Sequence, residues 1–255
     1  MTNADQIFTQ ELEIFRTEAE ASAQFLYAYL AIHATAAQSS EVVDLLNTAS
    51  LFWNTALGAL QTSAFIAVGR VYDDDDGSHG LKRLLKLAEG NSQLFTLDAL
   101  AIRKQGNSPT RPDWLDDYMT TAYVPSPADF QELRRCAEEQ QAVYKANYKT
   151  IRNKVFAHKD RSGAIKVNDL FAKTNISEWQ RMTLFLQSLY DALWQLYFNG
   201  VEPVLREYRY SVDSILDEPL PAGRQLPPQE KITREAAEFL TGAARKGWTG
   251  QPQKS

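Results

Sequence analysis

Apolar side chains recur along this chain at helical spacing, and no stretch alternates as a strand would. From Asp5 to Ala36 the stripe is Phe8, Leu12, Phe15, Phe25, Leu26, Tyr29 and Leu30, which predicts a first long helix. His33 on that run reads as a core or partly exposed histidine. Ser39 and Ser40 predict a break and an N-cap, with Glu41 in the next first turn. From Glu41 to Tyr72 almost every face is apolar in the second half, which predicts one central helix buried on more than one side. Such a helix is also a candidate to face a partner subunit.

Asp73 to Gly77 punctuates the pattern, with Ser78 as the expected cap of a short helix, Leu81–Leu87. Residues 91–111 read as irregular, with a short helix at Leu97–Arg103, and Pro112-Asp113-Trp114 starts another. Pro127 at a first helical position, after Ser126, opens a third long helix to about Ala157. Asp160–Gly163 is expected to turn and Leu170–Lys173 to be briefly helical. The fourth long helix, Glu178–Asn199, is expected to take Ser177 as its cap and to end at Gly200, with Val201–Tyr208 adding a turn or two.

Beyond Tyr210 the pattern changes. Pro219, Pro221, Pro227, Pro228 and Pro252 mark a linker and tail, with one amphipathic helix expected at Ile232–Ala244. The fold expected is all-α: an antiparallel bundle of four long helices over residues 1–210, with an insert at about 73–126 and a tail at 211–255.

Composition adds limits. The 255 residues are 44% hydrophobic and 23% charged, enough for a sizeable core. The net charge of -5 gives no overall attraction to nucleic acid, so such binding needs a local basic patch. The one cysteine, Cys136, permits no disulfide within the chain and reads as an inert buried thiol. No twenty-residue apolar run and no secretory leader are evident, so the expected compartment is the cytoplasm. The acid run Asp73–Asp76 invites a calcium reading. Placing Gly77 at the glycine of an EF-hand loop puts Tyr72 and Arg83 at ligand positions, where neither can serve. The run therefore reads as a solvated turn, and no metal or other cofactor is expected.

The late part of the third long helix supplies the basic patch: Lys145, Lys149, Arg152, Lys154, His158 and Lys159. Within it, Ile151–His158 joins a permanent cation shaped for phosphate to an imidazole that titrates near neutrality. These groups suffice in principle to cleave an RNA phosphodiester without a metal. The plainer alternative is a basic helix end favoured by the macrodipole.

Arg152, the polar Asn153 after it, and His158 five residues beyond Arg152, in RNKVFAH, resemble the signature of the HEPN superfamily. Arg70-Val71-Tyr72-Asp73 and Ser78–Leu85 are similar to the middle of its abortive-infection, AbiU-type branch, and the order of elements matches over roughly residues 5 to 205. The resemblance leaves room for Asp73 to pair with Arg70 or Arg83. It implies a ribonuclease whose motifs meet across a homodimer cleft. Arg152, Asn153 and His158 would then be catalytic, and Lys149, Lys154 and Lys159 would bind RNA. Some toxin members carry a modifiable Tyr two residues after the motif His. Asp160 stands there, so that route of control is not implied, and an antitoxin or regulatory protein is only a candidate partner.

On a straight α-helix Arg152 and His158 would point about 120° apart, while Lys154 and His158 share a face. Convergence needs a distorted helix end, a wrapped Arg side chain, or a second copy of the motif. Two competing readings stay open: a non-catalytic bundle binding RNA, nucleotide or protein, and a structural helical oligomer with an incidental basic end.

Overall fold

A computed structural model describes residues 2–74, 78–157, 174–209, 211–219, 223 and 225–246. Among them there is no strand, and the class is all-α. Helix α1, Asn3–Gln38, starts from a reciprocal cap in which Thr2 Oγ1 accepts from the Asp5 N–H and the Asp5 carboxylate accepts from the Thr2 N–H. It runs through the middle of the molecule. Its neighbours are α3 (Ser50–Tyr72), α8 (Ile176–Asn199) and the C-terminal helix α10 (Pro228–Arg245).

The core follows the apolar stripes. Phe8, Leu12, Phe15, Leu26 and Tyr27 of α1 meet Phe65, Val68, Val71 and Tyr72 of α3 and the inner face of α8. Helix α7, Pro127–Val143, adds Phe130, Leu133 and Ala137, capped as its Ser126-Pro127 start predicts. Shorter helices lie between and after these: α4 (Leu81–Gly90), α5 (Leu97–Gln105), α6 (Leu115–Thr121) and α9 (Val212–Asp217). At the start of α1, buried Asp5 accepts from Tyr197 Oη at 2.7 Å and pairs with Arg103 at 3.5 Å, tying α1, α5 and α8 together.

Several expectations change. The run Glu41–Tyr72 is two helices, α2 (Ser40–Thr48) and α3, broken at Ala49 (φ -128°, ψ 50°). The fully buried residues of α3 all lie within Ala64–Tyr72, while Trp53, Leu57 and Leu60 pack at partial burial against a second, smaller core of Ile32, Val42, Leu45 and Leu240. Leu51 and Phe52 stand 83% and 63% exposed. Apolar character all round asks for burial against something, and the described chain covers only half of this helix. By length and composition alone α3 would suffice to cross a membrane, which the sequence did not lead us to expect; its second half is core.

Caps shift too. Gly80, not Ser78, precedes α4, and Asn175 Oδ1 rather than Ser177 caps α8, accepting from the Ser177 and Glu178 N–H groups. Residues 201–209 do not continue α8. Gly200 adopts φ +56°, and Pro203 lacks the N–H a helix would need. Cys136 is partly exposed rather than buried. The helix expected in the tail spans Pro228–Arg245 and packs along α1, burying Thr233 and Leu240. The turn at 160–163 and the segment 170–173 lie outside the described residues.

Candidate functional site

Beyond Val143 the chain stays helical but not regularly so. Tyr144–Tyr148 forms a π turn, in which the Lys149 N–H reaches back to Tyr144 O, then Lys149–Ile151 returns to α geometry. A second π turn covers Arg152–Ala157. Such wide turns are uncommon and cluster at functional sites. Each such turn holds more residues than an α turn, so side chains along it are not placed as on a straight α-helix.

The core holds this stretch through α3 and the start of α8. Tyr144, Tyr148 and Ile151 are fully buried. Tyr144 stacks on Tyr72 with ring centres 5.4 Å apart. Tyr148 Oη donates to Asn175 O at 2.9 Å and pins the start of α8. Phe156 stacks on Phe65 at 4.7 Å, and Phe65 in turn meets Trp179 at 4.3 Å. Packing at both ends of RNKVFA therefore fixes the path of the backbone that carries the polar side chains.

Arg152 crosses α3 at Gly69. A Cβ built at that glycine would lie 2.9 Å from Arg152 Nε, 3.1 Å from its Cγ and 3.0 Å from Tyr144 Oη. The missing side chain is what lets the guanidinium lie against the helix. One of its nitrogens, Nη2, meets Asp73 Oδ2 at 2.9 Å, and Nη1 donates to Asn153 Oδ1 at 2.8 Å. Arg152 Nε and Tyr144 Oη are both buried without a hydrogen-bond partner. Burial, with the Asp73 charge beside it, pushes the Tyr144 phenol far above its usual range, so it stays protonated.

The residue after Asp73 continues the arrangement. Asp74 accepts from Gln141 Nε2 at 2.6 Å, pairs with Lys145 at 2.9 Å and stands 4.0 Å from Lys149. Asp73 and Asp74 thus face the basic helix end instead of forming a purely solvated turn. Asp73 does not pair with Arg70 or Arg83: Arg70 pairs with Glu18 at 3.4 Å, and Arg83 shares Glu11 with His79, each at 2.9 Å.

The structure therefore brings together Arg152 and Asn153, with Lys149 nearby across Asp74. Lys154 is exposed and makes no ion pair among the described residues. His158 and Lys159 lie outside the described residues. Gly69, Asp73, Asp74, Gln141 and Tyr144 were not assigned to the site from the sequence. A lone glycine inside an apolar helix was the signal for the first, and opposite charge on the two elements for the acids. Among the described residues no group of three His, Cys, Asp or Glu side chains could hold a metal.

The fold is all-α, and its third long helical stretch presents an Arg-Asn pair against a neighbouring helix. The family model for AbiU2 within the HEPN domains matches residues 5–215, and the chain belongs to that family. No curated protein and no solved structure matches the chain.

Proposed function

We propose that this protein is a metal-independent endoribonuclease acting as a homodimer in the cytoplasm, in phage defence or a toxin system of the abortive-infection kind. Arg152 carries the reading. It is a guanidinium set into a glycine slot on α3 and oriented by Asp73 and Asn153 on an irregular helical segment. A group ordered in advance at a developing charge stabilises a transition state without reorganising.

His158, or its copy in the partner subunit, removes the proton from a ribose 2′-hydroxyl. The 2′-oxygen attacks phosphorus, the bond from phosphorus to the 5′-oxygen breaks, and an imidazolium returns a proton to that oxygen. The product ends in a 2′,3′-cyclic phosphate. Arg152 meets the charge on the phosphoryl oxygens, Asn153 orients the phosphate or the imidazole, and Lys149, Lys154 and Lys159 hold flanking phosphates. The test is cleavage of RNA by purified protein in chelator, with the product ends analysed. His158→Ala should abolish cleavage while the dimer survives; retained cleavage would remove the assignment.

One observation favours a second reading, a binding module without catalysis. The Arg152 charge is already met by Asp73 and that of Lys145 by Asp74, which leaves less cationic charge for substrate. That reading expects RNA to bind but remain intact with either His158 or Ala at the position.

A further inference from the structure

Between α1, α8 and the residues that lead into α10 lies a hollow of about 340 Å³, and none of its lining residues belongs to the Arg152 site. Gln187 lines it from α8. Its side chain is buried, at 7% exposure, and neither the amide nitrogen nor the amide oxygen has a hydrogen-bond partner. A buried amide left unmet costs stability, so the groups it faces decide what completes it. Asp191, one helical turn on, faces the same hollow. It accepts from Tyr208 Oη and forms no ion pair among the described residues. Burial raises its carboxyl above the usual range; the charge of Arg206 opposes that shift and the charge of Glu20 adds to it.

The charges nearby do not balance. Among the described residues Arg16 is the cation in the wall, and it is held by Glu13 and by Glu20, the latter at 2.8 Å. Arg206 acts on Asp191 from an adjoining hollow without pairing with it. Two arginines thus stand against three carboxylates, Glu13, Glu20 and Asp191, and the excess is negative. An anion finds no free cation here. The two residues of the α10 start that line the hollow are Pro227 and Pro228, which have no N–H to offer it either.

We infer that this hollow binds a small organic cation, an ammonium or guanidinium group carried on a short apolar chain. The charged head lies between the Asp191 carboxylate and Gln187 Oε1, which both accept hydrogen bonds. The chain lies against Ala19, Leu226 and the aromatic walls of Tyr190 and Tyr208. Aromatic faces attract a cation as well as shielding it. The volume is near the lower end of the range for ligand sites, about 300–1,000 Å³, which suits a ligand of this size. Residues 225–228 close the hollow from beyond residue 215, where the family match ends, so the site needs the C-terminal segment. The inference shares no residue with the nuclease reading and stands or falls without it.

The experiment is calorimetric titration of the full chain with n-butylguanidine, with its neutral isostere n-butylurea, and with butyrate. Wild type should bind one n-butylguanidinium per chain roughly tenfold more tightly than n-butylurea, the scale of a hydrogen bond to a charged group. Butyrate should not bind. Asp191→Asn keeps an acceptor for Tyr208 Oη and removes the charge. It should lose roughly tenfold in affinity for n-butylguanidine and keep its affinity for n-butylurea. Gln187→Leu replaces the unmet amide by an apolar group of similar size. Its melting temperature without ligand should equal or exceed that of wild type, while its affinity for n-butylguanidine falls severalfold. No binding of n-butylguanidine by wild type, equal affinity for the guanidine and the urea, binding of butyrate instead, or unchanged affinity in either variant would overturn the inference.

Discussion

The Asp73 carboxylate meets the Arg152 guanidinium at 2.9 Å, joining the last turn of α3 to the irregular end of the third long helical stretch. Each side chain is about four-fifths buried, at 23% and 20% exposure, so the pair orients Arg152 more firmly than a surface ion pair would. On the nuclease reading, the same carboxylate competes with a phosphate for the guanidinium. Asp73→Asn should therefore separate the two effects. RNA affinity at low salt should rise about fivefold, the equivalent of about 1 kcal/mol for one unit charge removed at about 4 Å in water. The single-turnover cleavage rate should fall, because Arg152 loses its support. Filter binding and single-turnover kinetics read these independently, and a drop in affinity would show that Asp73 does not compete with substrate.

Gly69 offers a way to disturb the site at modest cost to the fold. Alanine in a helix interior ordinarily gains about 0.5–1 kcal/mol over glycine. Here the added methyl would crowd Arg152 Nε and Cγ and the Oη of fully buried Tyr144, all at 2.9–3.1 Å, so those side chains must shift. Gly69→Ala is expected to lower the melting temperature only modestly, the gain in helix propensity offsetting part of the cost of that crowding. Cleavage should fall on the order of tenfold to a hundredfold through misplacement of the guanidinium. Thermal denaturation and kinetics on one preparation check both halves of this expectation.

Much of this arrangement could be read from the residues, and the exceptions have physical causes. The stripes from Phe8 to Leu30 and from Trp179 to Tyr197 specified their helices because burial of one face is a local, periodic demand. Ser126-Pro127 announced α7 for the same local reason. Arg152 and Asn153 could be found because they are neighbours. Asp73 meeting Arg152 could not, since spacing along a chain carries no record of which elements touch. The π turns left no sign either, as nothing in YKANY distinguishes a wide turn from an α turn. Leu51 and Phe52 look like core residues in the sequence because hydrophobicity states a need for cover without naming what supplies it.

The start of α1 should be the acid-sensitive point of the fold. Burial pulls the Asp5 carboxyl upward, but hydrogen bonds from Tyr197 and Thr2 and the charge of Arg103 outweigh it, leaving it below its usual range. A lowered folded pKa contributes stability that is present above the unfolded value, near 3.9. That contribution is lost as pH falls through the folded value. Asp5→Ala should cost about 2 kcal/mol at neutral pH, the scale of hydrogen bonds to a charged group. It should also flatten the dependence of stability on pH below about 4. Urea unfolding at neutral pH and near pH 3 tests this, and an equal cost at both would refute it.

The exposed half of α3 bears on whether the protein acts alone. From Ser50 to Gly69 the helix has no charged residue, yet Leu51 and Phe52 are largely exposed and Trp53, Leu57 and Leu60 are half-buried. Interface cores are depleted in charge and rich in aromatic and aliphatic groups. A patch of that kind on a free monomer would be an aggregation hazard. A second copy of the chain is the cover the nuclease reading requires, since two motifs must meet. Leu51→Glu/Phe52→Glu should convert the dimer to monomer in light scattering. Helix content should be kept, because neither side chain packs in the core of one chain, while the melting temperature should fall and lose its dependence on protein concentration as the stabilisation by association is removed. The monomer should retain RNA binding through its own lysines and lose cleavage. A monomer that still cleaves would place a complete catalytic set within one chain, and a wild-type protein that is itself monomeric or partitions onto lipid vesicles would assign this face to another occupant.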